Sequence, residues 1–392
     1  MKIEDICTRI CSGGTPKSGK AEYYENGTIP WLNTKEINFN RIQATETFIT
    51  EEGLSNSSAK WIKPHAVIVA MYGATAGRVA VAEAPLTTNQ ACCNLEVDET
   101  IADYRYIYYW LKQNFDSIAG LANGGAQQNL SAKVIRQIEI NLPDLIKQRS
   151  IANFLDSFDS KIETNAKLNG YLAELQQVIY ADSTKEGAQT TIGEIAEVID
   201  CLHSKKPQRQ PSGKPLIQLN NIIDDGILNM ADTFYISEDD YAKWISRCEV
   251  KPGDCVITNV GRIGAVSQVP RGTTAAMGRN MTCIRPGAYA ATVITALCSN
   301  AMRYEIEKRT DAGTIMNALN VRNIPKLEFY LPPAEVRDSV EATLKTIQDA
   351  RELLLKERQE FAALRDALLP KLMSGEIDVS KIDLMQLNSH LA

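Results

Sequence analysis

The chain says nearly the same thing twice, and this duplication limits its possible folds more than any other feature. Lys2-Ile3-Glu4-Asp5-Ile6-Cys7 is echoed by Thr191-Ile192-Gly193-Glu194-Ile195-Ala196, and Ile29-Pro30-Trp31-Leu32-Asn33 by Lys214-Pro215-Leu216-Ile217-Gln218-Leu219-Asn220. Lys60-Trp61-Ile62 recurs as Lys243-Trp244-Ile245, and Gly77-Arg78-Val79-Ala80-Val81 is loosely matched by Gly264-Ala265-Val266-Ser267. Ile140-Asn141-Leu142-Pro143 is answered by Phe329-Tyr330-Leu331-Pro332-Pro333. The offset stays near 183–189 residues, far longer than the roughly 20–50-residue period of a solenoid. A duplicated domain follows, and 392 residues are enough for two.

Each copy has two parts. Residues 1–143 and 191–333 carry short β-branched runs such as Ala66-Val67-Ile68-Val69-Ala70 and Gly253-Asp254-Cys255-Val256-Ile257, punctuated by Gly, Asn and Pro. That is the pattern of a mixed, β-rich domain, with one helix expected in each copy, around Asp103–Phe115 and Ala290–Lys308. The period then changes. Residues 144–182 contain no proline and a single glycine, and place Ile151, Phe158, Asn165, Leu172 and Ile179 seven apart. A companion row holds Phe154, Leu168 and Leu175, with Lys161 interrupting it. Residues 334–373 repeat the design with Val340, Ile347, Leu354, Phe361 and Leu368, closed by Pro370. A sustained heptad asks for a helical partner, and the nearest is the other helix; the alternative is that each helix lies on its own domain. Asn165 on the seam would fix register at some cost in stability. About 36 helical residues make a rod of roughly 50 Å, a spacer. Residues 183–190 read as a polar linker and 374–392 as a tail.

Several function classes drop out. No apolar run reaches the length of a membrane helix, the nearest (residues 66–84) being broken by Gly73, Gly77 and Arg78. The first residues lack the apolar core of a signal peptide, so a soluble cytoplasmic protein with no membrane partner is expected. The nine cysteines form no Cys-x-x-Cys pair and the three histidines lie far apart, so reduced thiols and no metal site are expected. The net charge of −6 does not advertise a polyanion partner, but local balance matters more than the sum. Between Cys201 and Pro215 the chain carries Lys205, Lys206, Arg209 and Lys214 and no acid.

Catalytic motifs are missing. Asn141-Leu142-Pro143-Asp144 lacks the second proline and aromatic of an amino-methyltransferase motif, and Gly73-Ala74-Thr75-Ala76-Gly77-Arg78 matches neither phosphate-binding glycine loop. Glu194, Asp200 and Asp224-Asp225 are isolated acids rather than a nuclease cluster, and no serine elbow occurs. What remains are loops that set Asn, Gln, Lys and Arg beside Gly, such as Gly124-Gly125-Ala126-Gln127-Gln128-Asn129 and Gly278-Arg279-Asn280. Amides and guanidinium groups read base edges in the major groove, and glycine lets backbone approach phosphate.

An ordered set of motifs carries a resemblance. Gly13-Gly14-Thr15-Pro16, Ile29-Pro30-Trp31-Leu32, Gly73-Ala74-Thr75-Ala76-Gly77-Arg78-Val79-Ala80, Asn89-Gln90-Ala91 and Gly124-Gly125-Ala126-Gln127-Gln128-Asn129-Leu130-Ser131 precede Leu142-Pro143, Gln148-Arg149-Ser150-Ile151-Ala152 and Leu155-Asp156-Ser157-Phe158-Asp159. Leu368-Leu369-Pro370-Lys371-Leu372-Met373-Ser374-Gly375-Glu376-Ile377 closes the series. In that order the set resembles the specificity subunits of type I restriction–modification enzymes, over nearly the whole chain. The resemblance implies an α+β fold: two similar target-recognition domains, mixed and β-rich, separated by two long helices packed as an antiparallel coiled coil. It implies that each domain reads one half of a split double-stranded DNA target and that the helices set the gap. It further implies a chain with no catalytic residue and no cofactor of its own. Two modification subunits would carry S-adenosylmethionine and adenine methylation, and restriction subunits would carry ATP- and Mg-dependent translocation and cleavage.

The second copy departs from the first. Gly73–Arg78 becomes Gly261-Arg262-Ile263-Gly264, and Gly124–Asn129 becomes Ala312-Gly313-Thr314-Ile315-Met316-Asn317, so the two half-targets should differ. Gln148-Arg149-Ser150-Ile151-Ala152 becomes Arg337-Asp338-Ser339-Val340-Glu341, so the helices should not offer equivalent partner surfaces. The residues expected at DNA are Lys17, Lys20, Lys35, Arg78, Gln127 and Gln128 in the first domain, and Lys205, Lys206, Arg209, Arg262, Arg279 and Arg322 in the second. The competing reading is a two-domain protein-interaction scaffold without DNA specificity.

Overall fold

The computed structural model describes residues 1–121, 130–223, 225–311 and 317–379. The chain divides into two compact units, Met1–Ser160 with the stretch from Ala362, and Lys161–Phe361. Each unit therefore takes one part of each long helix.

The first unit contains β1 (Cys7–Ser12), β2 (Ile29–Leu32), β3 (Asn40–Ile42), β4 (Thr47–Ile49), α1 (Glu51–Ser55), β5 (Trp61–Ile62), β6 (Val67–Ala70), β7 (Val79–Ala82), β8 (Leu86–Thr88) and β9 (Cys92–Val97). Helices α2 (Tyr104–Gln113), α3 (Phe115–Gly120) and α4 (Ala132–Gln137) follow, then α5 (Leu145–Ser183). One sheet has the order β1-β9-β6-β7-β3 and the other β4-β2-β8-β5. The unbroken apolar runs of β6 and β7 are buried on both faces, which is why they read as continuous rather than alternating.

The second unit contains β10 (Ala188–Thr191), α6 (Ile192–Ile195), β11 (Ala196–Asp200), β12 (Lys214–Ile217), β13 (Phe234–Ile236), α7 (Glu238–Trp244), β14 (Glu249–Val250), β15 (Cys255–Thr258), β16 (Val266–Gln268), β17 (Ala275–Met277) and β18 (Met281–Pro286). It ends with α8 (Ala290–Leu297), α9 (Asn300–Lys308), β19 (Glu328–Leu331) and the first part of α10 (Ala334–Ser374). Its sheets have the orders β11-β18-β15-β16 and β13-β12-β17-β14. The second of these matches its counterpart strand for strand, down to its single parallel pair, Leu32 beside Thr88 and Ile217 beside Met277. The first matches in four strands, with none in the place of β3, and β10 and β19 pair as a separate two-stranded sheet. The duplication is thus a property of the topology.

One sequence echo does not survive. Trp61 lies on strand β5 and is 43% exposed, whereas Trp244 ends helix α7 and is 2% exposed. The counterpart of β5 is β14, so the shared Lys-Trp-Ile string is a coincidence of composition. The helix expected around Asp103–Phe115 is α2, with α3 following it as a separate element, whereas the one expected around Ala290–Lys308 is two helices, α8 and α9. Asn114 separates α2 from α3 by turning its amide back onto the Trp110 carbonyl at 2.8 Å. Ser299 caps α9 by accepting from the Met302 N–H at 3.1 Å. Both side chains compete with the helical ladder for backbone partners.

The long helices pack in each unit through a seam that is far more polar than a heptad count suggests. In the first unit Ile151, Phe154, Leu155 and Phe158 of α5 are buried, as are Leu369 and Leu372 of α10. Asp159 accepts from the Tyr109 hydroxyl at 2.6 Å and from Arg365 of α10. In the second unit Asn165 donates to Glu357 at 2.7 Å, Asn169 to the Arg351 carbonyl at 3.1 Å and Gln176 to the Leu344 carbonyl at 3.3 Å. Numbers rise on α5 as they fall on α10, so the pairing is antiparallel.

Of the expected seam, Ile151, Phe158, Asn165, Ile347 and Phe361 are buried, while Leu172, Ile179, Val340, Leu354 and Leu368 are half-buried. The expected companion row is displaced: Leu168 and Leu175 are exposed, and Asn169 and Gln176 lie buried in their place. Helix α10 runs through Pro370 to Ser374 and stops where Gly375 takes φ +77°. No helix among the described residues is long and apolar enough to cross a membrane. All nine cysteines are free thiols, and most are buried.

Candidate nucleic-acid interface

In both units the turns at one end of the two sheets are tied by the same backbone bonds. In the first, the Met71 N–H donates to Ala91 (2.8 Å), Leu130 to Met71 (2.8 Å) and Asn89 to Leu32 (3.0 Å). In the second, Asn259 donates to Asn280 (2.8 Å), Leu319 to Asn259 (2.9 Å) and Gly278 to Ile217 (2.9 Å). These bonds gather the β6–β7 and β8–β9 turns with the residues after β2, and their equivalents in the second unit. Loops held by a rigid frame are where binding residues can vary without cost to the fold.

Much of the motif text supports this frame. A Cβ on Gly13 would lie 2.0 Å from the Thr88 carbonyl oxygen, so only glycine fits there. Gly77 (φ +87°) and Gly264 (φ +77°) close the equivalent turns onto α3 and α9, in a backbone conformation that other residues rarely adopt. Trp31 donates from Nε1 to the Gly14 carbonyl at 2.9 Å, and Tyr24 from its hydroxyl to the Pro16 carbonyl at 2.6 Å. Gln148, buried at the start of α5, accepts from the Asp103 N–H at 3.1 Å and donates to the Pro143 carbonyl at 2.8 Å.

The expected DNA contacts fall into three groups. Arg78 and Arg262 brace the segment that follows β2 or β12: Arg78 donates to Asn38 Oδ1 at 2.9 Å and Arg262 to the Ile222 carbonyl at 3.0 Å. They are not equivalent residues. The Arg78 N–H bonds Thr75 and the Ala265 N–H bonds Arg262, which aligns Arg262 with Thr75. A second group carries acidic partners: Lys20 with Glu22 at 3.2 Å, Lys35 with Glu46 at 2.7 Å, and Arg209 with Asp232 at 2.9 Å. The bond to the Glu46 carboxylate holds the Lys35 ammonium above its ordinary pKa. Lys17, Lys205, Lys206, Arg279 and Arg322 form the third group, all exposed. Gln127 and Gln128 lie outside the described residues.

The second unit brings some of these together. Lys206 and Arg279 line one cleft of 280 Å³ with Gln218, Asn220, Trp244 and Asn280. Lys206 Nζ sits 4.5 Å from the Phe234 ring centroid, and the Arg209 guanidinium 5.8 Å from it. A cationic cleft with amides beside it suits phosphate and base edges together. Arg262 lines a different cleft, with Arg303 and Asn317. Gln218, Asn220 and Phe234 were not among the expected residues; their signal was proximity to the basic loop, which only the β12–β13 pairing supplies.

Asp200, Cys201 and His203 come within 4.8 Å of one another at the root of the basic loop. The Asp200 carboxylate oxygen at 3.0 Å from His203 Nε2 is also 3.2 Å from Arg247. That guanidinium opposes a cation at the same oxygen, so the cluster is a staple for the loop.

Residues 1–173 match the family model described as the type I restriction modification DNA specificity domain. Over 97% of this chain and 94% of the relative, the sequence is 24% identical to the type I restriction enzyme MjaIX specificity subunit of Methanocaldococcus jannaschii. Along nearly its whole length the chain is similar to a type I restriction–modification specificity subunit. A second relative, the EcoR124I/EcoR124II specificity subunit of Escherichia coli, is 30% identical over 169 residues. That match spans 42% of this chain and 41% of the relative.

The S subunit of a type I system from M. genitalium has the same fold, with a TM-score of 0.60, 18% identity and 95% of each chain covered.

Proposed function

We propose that this chain directs a type I restriction–modification complex to an asymmetric, bipartite double-stranded DNA target. Each unit reads one half through its loop end. The paired helices act as the ruler for the unspecified gap, and modification subunits dock beside the chain. Adenine methylation, S-adenosylmethionine, ATP and Mg belong to the modification and restriction partners in this reading.

The observation that carries it is the duplicated loop end. Two frames with the same backbone bonds present different side chains, Gln90 where the other has Arg279, and Thr75 where the other has Arg262. One frame with two faces suits a target whose halves differ.

The test is DNA binding by the complex assembled with its modification subunits, measured across salt concentrations with footprinting at the strongest site. Two short protected stretches separated by a gap, with a steep fall of affinity as salt rises, are expected. Binding that is flat in salt and protects no defined sequence would transfer the loop ends to a protein-scaffold role.

A further inference from the structure

Gln90 and Arg279 occupy the same place in the two frames. Gln90 follows Asn89, whose N–H bonds Leu32, and precedes Ala91, whose carbonyl accepts from Met71. Arg279 follows Gly278, whose N–H bonds Ile217, and precedes Asn280, whose carbonyl accepts from Asn259. Both side chains are exposed at the turn tip. Other long polar groups nearby are engaged: Arg78 with Asn38, Arg262 with Ile222, Lys35 with Glu46 and Arg209 with Asp232. The Arg279 guanidinium has no hydrogen-bond acceptor among the described residues, and it shares its cleft with Lys206, a cation suited to the neighbouring phosphate.

The Thr15 hydroxyl donates to Gln90 Oε1, which fixes that amide at the tip. A positioned glutamine can pair with N6 and N7 of adenine, and an arginine with O6 and N7 of guanine.

We infer that Gln90 and Arg279 are equivalent specificity-determining residues, Gln90 reading an A·T pair in one half-site and Arg279 a G·C pair in the other. The inference rests on the proposed DNA-reading role and adds which residues divide the two halves. The backbone bonds that place both turns do not involve the Gln90 or Arg279 side chain, and Asn89 adds a side-chain bond of its own, accepting from the Ala91 N–H at 3.1 Å.

The experiment is methylation sequencing in cells that express the chain with its modification subunits, as wild type and as Arg279→Gln, Arg279→Lys and Gln90→Arg. Arg279→Gln is expected to lower methylation at one G·C position of one half-site by about ten- to hundredfold relative to A·T there. The other half-site stays unchanged and reports that the complex is folded. Gln90→Arg is expected to alter only the opposite half. Arg279→Lys, which keeps the charge and loses the fork, is expected to relax the same G·C position.

Wild-type sequence preference in Arg279→Gln or in Gln90→Arg overturns the inference. So does preference retained in Arg279→Lys together with a uniform loss in Arg279→Gln, which marks a phosphate contact. A wild-type complex that methylates no split motif overturns the proposed function itself, whatever the variants do.

Discussion

Asn169 and Arg351 hold each other by two bonds across the helix pair of the second unit. The asparagine amide donates to the Arg351 carbonyl at 3.1 Å, and its Oδ1 accepts from Arg351 Nε at 3.2 Å. Arg351 also donates to Gln176 at 2.6 Å and to the Asp225 carbonyl. Burial pulls its guanidinium below the ordinary pKa, and the acceptors around it are mostly neutral. Such a network is costly to leave half-made and specific when complete.

Arg351→Ala is therefore expected to destabilise the second unit by about 3 kcal/mol, since it strands several buried acceptors. Adding Asn169→Leu to Arg351→Met should restore more than half of the loss, because Gln176 and Gln348 already bond each other at 3.1 Å. Denaturant unfolding, with hydrogen exchange to place the loss in residues 161–361, measures both. Strictly additive losses would contradict the network.

Asp159 plays the matching part in the first unit, where it takes Tyr109 and Arg365 together. Asp159→Ala leaves a buried phenol and a guanidinium without their carboxylate and should cost about 3 kcal/mol. Asp159→Asn keeps an acceptor for Tyr109 and should cost about half as much. Equal losses from the two variants would show that volume, not the bonds, matters at this site.

Tyr180 sets an alkaline limit. Its hydroxyl donates to the Tyr330 carbonyl at 2.8 Å, and burial pushes the phenol up to about 12. The folded form keeps a proton that the unfolded chain releases near pH 10. The stabilisation is therefore whole below about pH 10 and is lost as pH rises toward 12. Tyr180→Phe should be slightly less stable at neutral pH and should lose less on going from pH 9 to about 11.5. Unfolding midpoints at the two pH values decide this.

The basic loop makes a prediction about salt. Lys205 is exposed, and Lys206 lies over Phe234. Lys205→Ala with Lys206→Ala should weaken DNA binding by the assembled complex about equally on all sequences, and reduce the log–log salt slope by roughly one to two. A loss confined to the cognate sequence would reassign these lysines to base contact.

The long helices were legible because an uninterrupted heptad without proline has few other readings, and the duplication was legible because it recurs at a steady offset. The seam's chemistry was not. Counting apolar residues passes over Asn169, Gln176, Gln348 and Arg351, although their amide and guanidinium groups fill the buried rows. Equivalences between the copies also needed the strand register: Trp61 and Trp244 share a string but not a place, whereas Gln90 and Arg279 share a place but no string. Arg78 and Arg262 look alike as loop arginines, and their bracing bonds appear only once the turn after β2 or β12 is in position.

The most direct test of the central claim is methylation sequencing of cells expressing functional modification subunits with and without this chain. The account predicts one split, asymmetric adenine-methylation motif that is present with the chain and absent without it. An identical methylome in both would contradict it.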